Sequence, residues 1–159
     1  HIIDSAQIID FVDLNFNTTC DLGTGGGMPG IIIAIMLKTI KKNMKVHLYE
    51  KSHHKSNFLR EVSRKLNLNT EIFQKNIFDL KKLKTGTIMS RAFKPMPDVL
   101  DLVYKNFASY ENLILFMGTK GKDVFKNSLI DWNLEYTEKK SLTNDKSFLL
   151  NIKKINKKN

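Results

Sequence analysis

DLGTGGGMPG, Asp21 to Gly30, follows a short buried strand at Thr19 to Leu22. It precedes an apolar run, Ile31 to Leu37, that reads as a helix with Pro29 near its first turn. Glycines at 23, 25 and 27 permit positive φ and let a ligand approach the backbone closely. The helix that follows presents unpaired N–H groups and the positive end of its dipole. A strand, a glycine loop and a helix in that order place a polar ligand at the loop.

The flanking sequence extends this unit into an alternating α/β pattern. Ser5 reads as the N-cap of a helix reaching about Asp13. Lys45 to Glu50 (KVHLYE) alternates and is β-rich, so it is a second strand. Ser52 caps a helix whose apolar stripe is Phe58, Leu59, Val62 and Leu66, a stripe expected in the core, with Arg60 and Arg64 on another face. Thr70 to Gln74 is a third strand and Ile88 to Ser90 a fourth, entered from a Lys-rich turn at Lys84 to Thr87. A helix from about Pro97 to Phe107, a strand at Leu113 to Phe116 and a helix at Lys122 to Ile130 follow. Leu134 to Thr137 and Ser147 to Ile155 close the chain as an antiparallel pair, overlapped by a basic tail from Lys153 to Lys158. Such alternation implies a mostly parallel sheet with helices on both faces and a ligand crevice at the carboxyl ends of the strands.

The 159 residues suit one domain, 1–159, and leave little room for a second. A net charge of +10 favours a polyanionic partner and disfavours a basic substrate. Lys outnumbers Arg 23 to 3, so most of this charge reads as solvated surface and each Arg merits separate scrutiny. Cys20 is the single cysteine, which excludes an intrachain disulfide and a Cys-rich zinc site and suits a reducing cytoplasm. No run of about 18 apolar residues exists to span a membrane. The chain opens at His1, and Ile2, Ile3, Ile8, Ile9, Phe11 and Val12 read as an amphipathic segment rather than a leader peptide.

Read literally, Gly25, Gly27 and Gly30 match G-x-G-x-x-G, a weak dinucleotide signal by itself. The acidic start of the loop, Asp21 to Gly27, resembles instead the D-x-G-x-G-x-G motif of class I S-adenosylmethionine methyltransferases. In that group the acid meets the methionine amino end and the glycines make room for the cofactor. Glu50, at the end of the second strand, can accept hydrogen bonds from two ribose hydroxyls of either kind of nucleotide. Size chooses between them, because a dehydrogenase usually needs a further substrate domain. The three prolines, Pro29, Pro95 and Pro97, form no Pro-Pro pair for an N-P-P-Y type motif, which disfavours exocyclic amine methylation. Cys20 directly before the loop is poorly placed to attack a pyrimidine ring and reads as a small buried hydrophobe. Acceptors with a ready lone pair, such as guanine N7, or a hydroxyl with a base remain.

At the level of motifs the chain resembles the bacterial 16S ribosomal RNA guanine-N7 methyltransferases, the glucose-inhibited division protein B family. The resemblance spans essentially the whole chain. It rests on His1-Ile2-Ile3-Asp4-Ser5 (family H-I-L-D-S), Asp21 to Gly30 (family D-[VL]-G-[TS]-G-x-G-x-P-G), Phe58-Leu59-Arg60, Ser90-Arg91-Ala92-Phe93 and Lys120-Gly121. The Met28-Pro29-Gly30 ending and Ser90-Arg91-Ala92 discriminate best, since generic methyltransferases lack both. The resemblance implies a Rossmann-like fold with a seven-stranded, mostly parallel sheet and an antiparallel C-terminal strand. It implies S-adenosyl-L-methionine as cofactor, 16S ribosomal RNA within the small ribosomal subunit as partner, and a cytoplasmic monomer. The family carries a helical extension before H-I-L-D-S, which this chain is expected to lack.

Carried over by position, Gly23 and Met28 become cofactor contacts, Ile77 and Phe78 the pair beside the adenine, and Arg91 an active-site rim residue. Asp21, Gly25 and Glu50 complete the expected cofactor set. Arg91 and Lys120 are the expected transfer residues, orienting guanine through O6 and nearby phosphates. Many members carry an acid where Phe78 stands, so the adenine contact there is expected from backbone or stacking, or from Asp79. Thr119 replaces the more usual Leu before Lys120. His1 and Asp4, one turn apart, either line the pocket or cap a helix. His53 and His54 lack the further Cys or carboxylate spacing of a metal site. Two rivals remain: a ribose 2′-hydroxyl methyltransferase using Lys120 or Asp98 as base, and an RNA-binding module with a vestigial pocket.

Overall fold

The computed structural model describes residues 1–158; Asn159, the last residue of the expected 1–159 domain, lies outside the described residues. Nine strands and five helices alternate along it. They are α1 (Ile2–Ala6), β1 (Thr18–Leu22), α2 (Gly30–Thr39), β2 (Lys45–Tyr49), α3 (His53–Lys65), β3 (Thr70–Phe73), β4 (Leu83–Lys84), β5 (Thr87–Arg91), α4 (Met96–Asn106), β6 (Phe107–Ser109), β7 (Asn112–Met117), α5 (Gly121–Asp131), β8 (Trp132–Lys140) and β9 (Phe148–Lys157). Seven of the strands make one sheet in the order β3-β2-β1-β5-β7-β9-β8. All neighbours from β3 to β7 are parallel, and β9 runs antiparallel to both β7 and β8. From β1 the chain first builds outward to β2 and β3, then returns to build β5 and β7 on the other side. That reversal between β1 and β5 opens a crevice at their carboxyl ends.

The central strands β1, β5 and β7 are buried almost throughout, as a sheet covered on both faces requires. Successive residues divide between the two layers. Ile88 and Leu113 join α4 residues Val99, Leu100 and Val103 on one face. Met89 and Ile114 join Ile33 and Leu37 of α2 and Leu59 of α3 on the other.

Four details depart from the sequence reading. Ser5 does not cap a helix: α1 starts earlier and a 3-10 turn, Ile9–Phe11, follows it. The Ser5 hydroxyl, fully buried, donates to the His1 carbonyl at 2.8 Å. Phe58 and Leu66 leave the core, 52% and 44% exposed, because only Ser56, Leu59 and Ser63 face the sheet squarely. The expected turn near Lys84 contains β4, which pairs in parallel with β6 as a separate two-stranded sheet. The expected basic tail is largely the end of β9; there Lys154 pairs with Glu135 and the Lys157 ammonium sits 5.7 Å from the Trp132 ring centroid.

Candidate active site

The glycine loop is held from beneath by a buried carboxylate. Asp21 Oδ2 accepts the Thr24 hydroxyl at 2.6 Å and the Gly30 N–H at 2.8 Å, so one oxygen ties both ends of the loop together. Gly23, Gly25 and Gly27 all adopt positive φ. Their conformations bend the chain from β1 into α2 without a side chain between backbone and crevice.

Asp21 itself is fully buried and does not border the crevice, and its second oxygen, Oδ1, has no hydrogen-bond partner among the described residues. Burial pushes its carboxyl up to about 7 from an ordinary 3.8; Thr24, Gly30 and Arg91 oppose the shift and Glu50 adds to it. The folded chain therefore keeps a proton that the unfolded chain has already released, and stability falls as pH rises from about 4 to about 7. Asp21→Asn keeps an acceptor without a charge and should flatten this dependence. Relief of a penalty on the order of 2 kcal/mol at pH 8 corresponds to a Tm about 4–8 °C above the parent, measured by calorimetry. Parallel Tm curves for the two proteins between pH 4 and 8 would contradict it.

Above the loop lies a cavity of about 640 Å³, within the range of small-molecule sites. Gly23, Gly25, Met28 and Glu50 border it on one side, and Ile77, Phe78 and Arg91 on the other. Seven of the eight expected cofactor residues thus converge, with Asp21 the exception. Glu50, nearly buried, accepts the Gly25 N–H at 3.0 Å and the Ser52 N–H at 2.8 Å, one on each carboxylate oxygen. Phe78 projects into the lining with its ring centroid 6.0 Å from that of Phe93, while Asp79 does not reach it. A ring and backbone, rather than an acid, are what the cavity offers at Phe78.

A cavity cradled by bare glycine backbone, with a two-oxygen acid at one end and aromatic rings at another, fits an adenosine-bearing cofactor. A Cβ on Gly25 would meet only the Gly23 carbonyl, at 3.9 Å, so this backbone borders open space. A Cβ on Gly23 would instead strike Phe93 at 2.0 Å, which shows how tightly the Ser90-Arg91-Ala92-Phe93 turn closes on the loop.

Arg91 ends β5 at the rim. Its guanidinium donates to the His1 carbonyl at 3.2 Å and the Ser5 hydroxyl at 3.5 Å, contacts the His1 ring nitrogen, and lies 5.5 Å from the Phe116 centroid. His1 lines the cavity, whereas Asp4 turns away and accepts the hydroxyls of Ser141 at 2.8 Å and Thr143 at 2.6 Å. The first turn of the chain thereby links the rim to the β8–β9 loop. Ala92, at φ 48, turns the backbone just after Arg91, a left-handed conformation uncommon outside glycine.

Lys120 is not in this cavity. It borders a second one of about 250 Å³, lined by Met96, Leu115, Met117 and Val124 at the carboxyl ends of β5 and β7. Ala92 and Lys94 line both cavities, which makes the two neighbours across the Arg91 turn. Cys20 is buried, with its thiol pushed up by burial and by Asp21, so it stays protonated and unreactive.

Sequence reasoning missed Asn106. From the last turn of α4 its buried amide donates to the carbonyls of Phe78 at 3.0 Å and Leu80 at 2.7 Å, and accepts the Lys81 ammonium at 2.9 Å. A third, longer bond reaches the Ile77 carbonyl at 3.4 Å. One side chain thus fixes the 3-10 turn Ile77–Asp79 that lines the cavity. Nothing local in the sequence marks it, since its partners are 25 to 29 residues away. Asn106→Ala strands those carbonyls and should cost on the order of 2–3 kcal/mol, read as a lowered urea midpoint, with a several-fold weaker cofactor. An unchanged midpoint would remove Asn106 from this role.

Comparisons with known proteins agree with the geometry. A family model described as GidB, rRNA small subunit methyltransferase G, matches residues 1–153. A ribosomal RNA small subunit methyltransferase G of Pelagibacter ubique (strain HTCC1062) is 65% identical over 159 residues, which are all of this chain and 75% of the relative. One of the same description from Bartonella quintana (strain Toulouse) is 34% identical over 157 residues, 98% of this chain and 72% of the relative. Among solved structures, a SAM dependent methyltransferase from Aquifex aeolicus superposes with a TM-score of 0.67 at 12% identity, covering 97% of this chain and 90% of that one. The M. capricolum TrmK structure with S-adenosyl-homocysteine gives 0.66 at 14% identity, covering 94% and 67%. The fold is that of the S-adenosylmethionine-dependent methyltransferases, and the chain belongs to the GidB family, rRNA small subunit methyltransferase G.

Proposed function

We propose that this chain transfers the methyl group of S-adenosylmethionine to N7 of a guanine in 16S ribosomal RNA. The observation that supports it is the pairing of a glycine-cradled cavity with a smaller apolar one across the Arg91 turn, a cofactor site beside an acceptor site. When bound, the cofactor supplies a methyl on a sulfonium, which the N7 lone pair takes as the carbon–sulfur electron pair returns to sulfur, with no proton to remove.

The protein's task is therefore placement. Glu50 and the Gly23–Gly25 backbone hold the ribose and methionine parts, Ile77 and Phe78 flank the adenine, and Met28 closes the loop side. Met96, Leu115, Met117 and Val124 offer an apolar slot for a purine, with Lys120 at its mouth to meet O6 or a phosphate. Arg91 stands between the two sites, its plane fixed by the His1 carbonyl, Ser5 and Phe116.

The 2′-hydroxyl rival requires a base poised by burial. Asp98 is exposed and borders neither cavity, and Lys120 is exposed at the start of α5. A placement-only reaction suits these residues better. The proposal carries the remaining expectations with it: one domain, a monomer acting in the cytoplasm, and a substrate presented within the small ribosomal subunit. No helix among the described residues is long and apolar enough to cross a membrane.

The test is to supply labelled cofactor with small-subunit particles or with deproteinised 16S RNA, then to digest the product and identify the labelled nucleoside. N7-methylguanosine is expected. Label on a ribose would move the chain to the rival chemistry, and absence of label from both substrates would leave only a binding role.

A further inference from the structure

The segment Lys51 to Arg60, KSHHKSNFLR, holds three permanent cations and two histidines and no acid. It contains Phe58, an aromatic residue that the fold leaves 52% exposed and packs against neither core cluster. Leu59 beside it is fully buried, so α3 is anchored without the ring. A lone exposed apolar residue is ordinary. This one has informative neighbours. Lys55 and Phe58 are three apart on α3 and share a flank of the helix, with His54 four residues before the ring. Lys51 and Lys55 also border the cofactor cavity, and Lys75, from the loop after β3, borders the same mouth.

These three lysines belong to the unneutralised majority of the basic surface, and what marks them is the cavity border they share beside Phe58. Lys45, Lys65, Lys105, Lys122, Lys139 and Lys154 each pair with a carboxylate. Among the described residues no carboxylate pairs with Lys51, Lys55 or Lys75, and Glu50, the nearest acid in sequence, already accepts two backbone N–H groups. A group of unpaired ammoniums beside an exposed ring matches the chemistry of unstacked RNA, whose bases offer π faces and whose phosphates alternate with them. A duplex keeps its base faces stacked and offers the ring nothing comparable.

We propose that the N-terminal half of α3 is a second contact for the RNA substrate: Phe58 stacks on an unpaired base, and Lys51, Lys55 and Lys75 take flanking phosphates. The strand then passes over the adenosine end of the cofactor cavity while the acceptor guanine enters on the Lys120 side. RNA lying across that mouth slows the escape of the cofactor bound beneath it. The proposal rests on the RNA methyltransferase reading.

The experiment measures binding of 16S RNA and of a single-stranded oligoribonucleotide to the whole chain, which requires no methyl transfer. Phe58→Ala should weaken both by about tenfold, the range of one lost base stack, with cofactor affinity in the absence of RNA within twofold. In turnover the loss should fall on KM for RNA and not on kcat. Phe58→Trp should bind like the parent, and its introduced indole should be quenched by the oligonucleotide; Trp132, 4% exposed, contributes little to that signal. Lys51→Ala with Lys55→Ala should lower the slope of log affinity against log salt by about 1.4, two single-strand phosphate contacts. RNA affinity within twofold of the parent in Phe58→Ala overturns the proposal. So does an effect confined to intact subunits, which would assign the ring to a ribosomal protein. If the parent binds RNA through Phe58 yet transfers no methyl group, it is the enzymatic reading that fails.

Discussion

Gly25→Val should abolish measurable binding of both S-adenosylmethionine and its demethylated product, a loss of at least a hundredfold by calorimetry. Gly25 sits at φ +57, where a β-branched residue is strongly strained, and an added side chain would leave the backbone toward the open cavity. The same residue donates its N–H to Glu50, so a shift of the loop also releases the acid expected at the ribose. Both effects act at the ligand and neither touches the two core clusters, so the variant should fold with an unaltered circular-dichroism spectrum. Gly118→Ala is the control: an added Cβ there meets nothing within 4 Å, the residue is not at positive φ and it borders only the smaller cavity, so cofactor affinity should stay within a few fold. Retained parent-like affinity in Gly25→Val would separate the glycine loop from the cofactor.

Lys120→Ala should divide catalysis from cofactor capture. Lys120 borders only the smaller cavity, so its removal should leave cofactor affinity within a few fold. Single-turnover methyl transfer should fall by roughly tenfold to a thousandfold, the consequence of losing a group that positions the acceptor. Arg91→Ala should reduce transfer at least as far and weaken the cofactor too, since Arg91 borders the larger cavity and is braced by α1. Arg91→Lys cannot restore it: one ammonium cannot reach the His1 carbonyl and Ser5 as a planar fork does. Full transfer by Lys120→Ala on intact subunits would return that lysine to the solvated surface and leave Arg91 alone at the rim.

Much of the fold was legible because its signals are local. The glycine loop needs positive φ at fixed spacing, and the strands around it are short runs with β-branched, alternating or apolar residues, so Asp21 to Gly30 and β1, β2, β5 and β7 can be read directly. The same holds for Ser52 as the cap of α3, whose hydroxyl accepts the Lys55 N–H. Helical periodicity, however, specifies a stripe and not its width. The sheet reaches only the Leu59 line of α3, and Phe58, one residue off that line, goes to solvent. Ser5 misled for a related reason: its hydroxyl had a tertiary neighbour in Arg91 and a local acceptor in His1, neither of which a capping rule can weigh.

By itself the sequence determined the alternation of the main strands and helices, the mostly parallel sheet, the glycine loop, the acid at the end of β2 and the family, since each depends on residue types at short, fixed spacings. Only the tertiary structure decided what those residues face. Asp21 and Glu50 are both acids at strand ends, yet the chain folds over the first to make it a loop tie and leaves the second at the cavity wall. Arg91 and Lys120, 29 positions apart, fall on neighbouring cavities because β5 and β7 lie side by side, and Asn106 reaches the Ile77–Asp79 turn because α4 ends beneath it. Burial and direction arise from packing among residues far apart in the chain, and that information exists only once the layers have closed on the sheet.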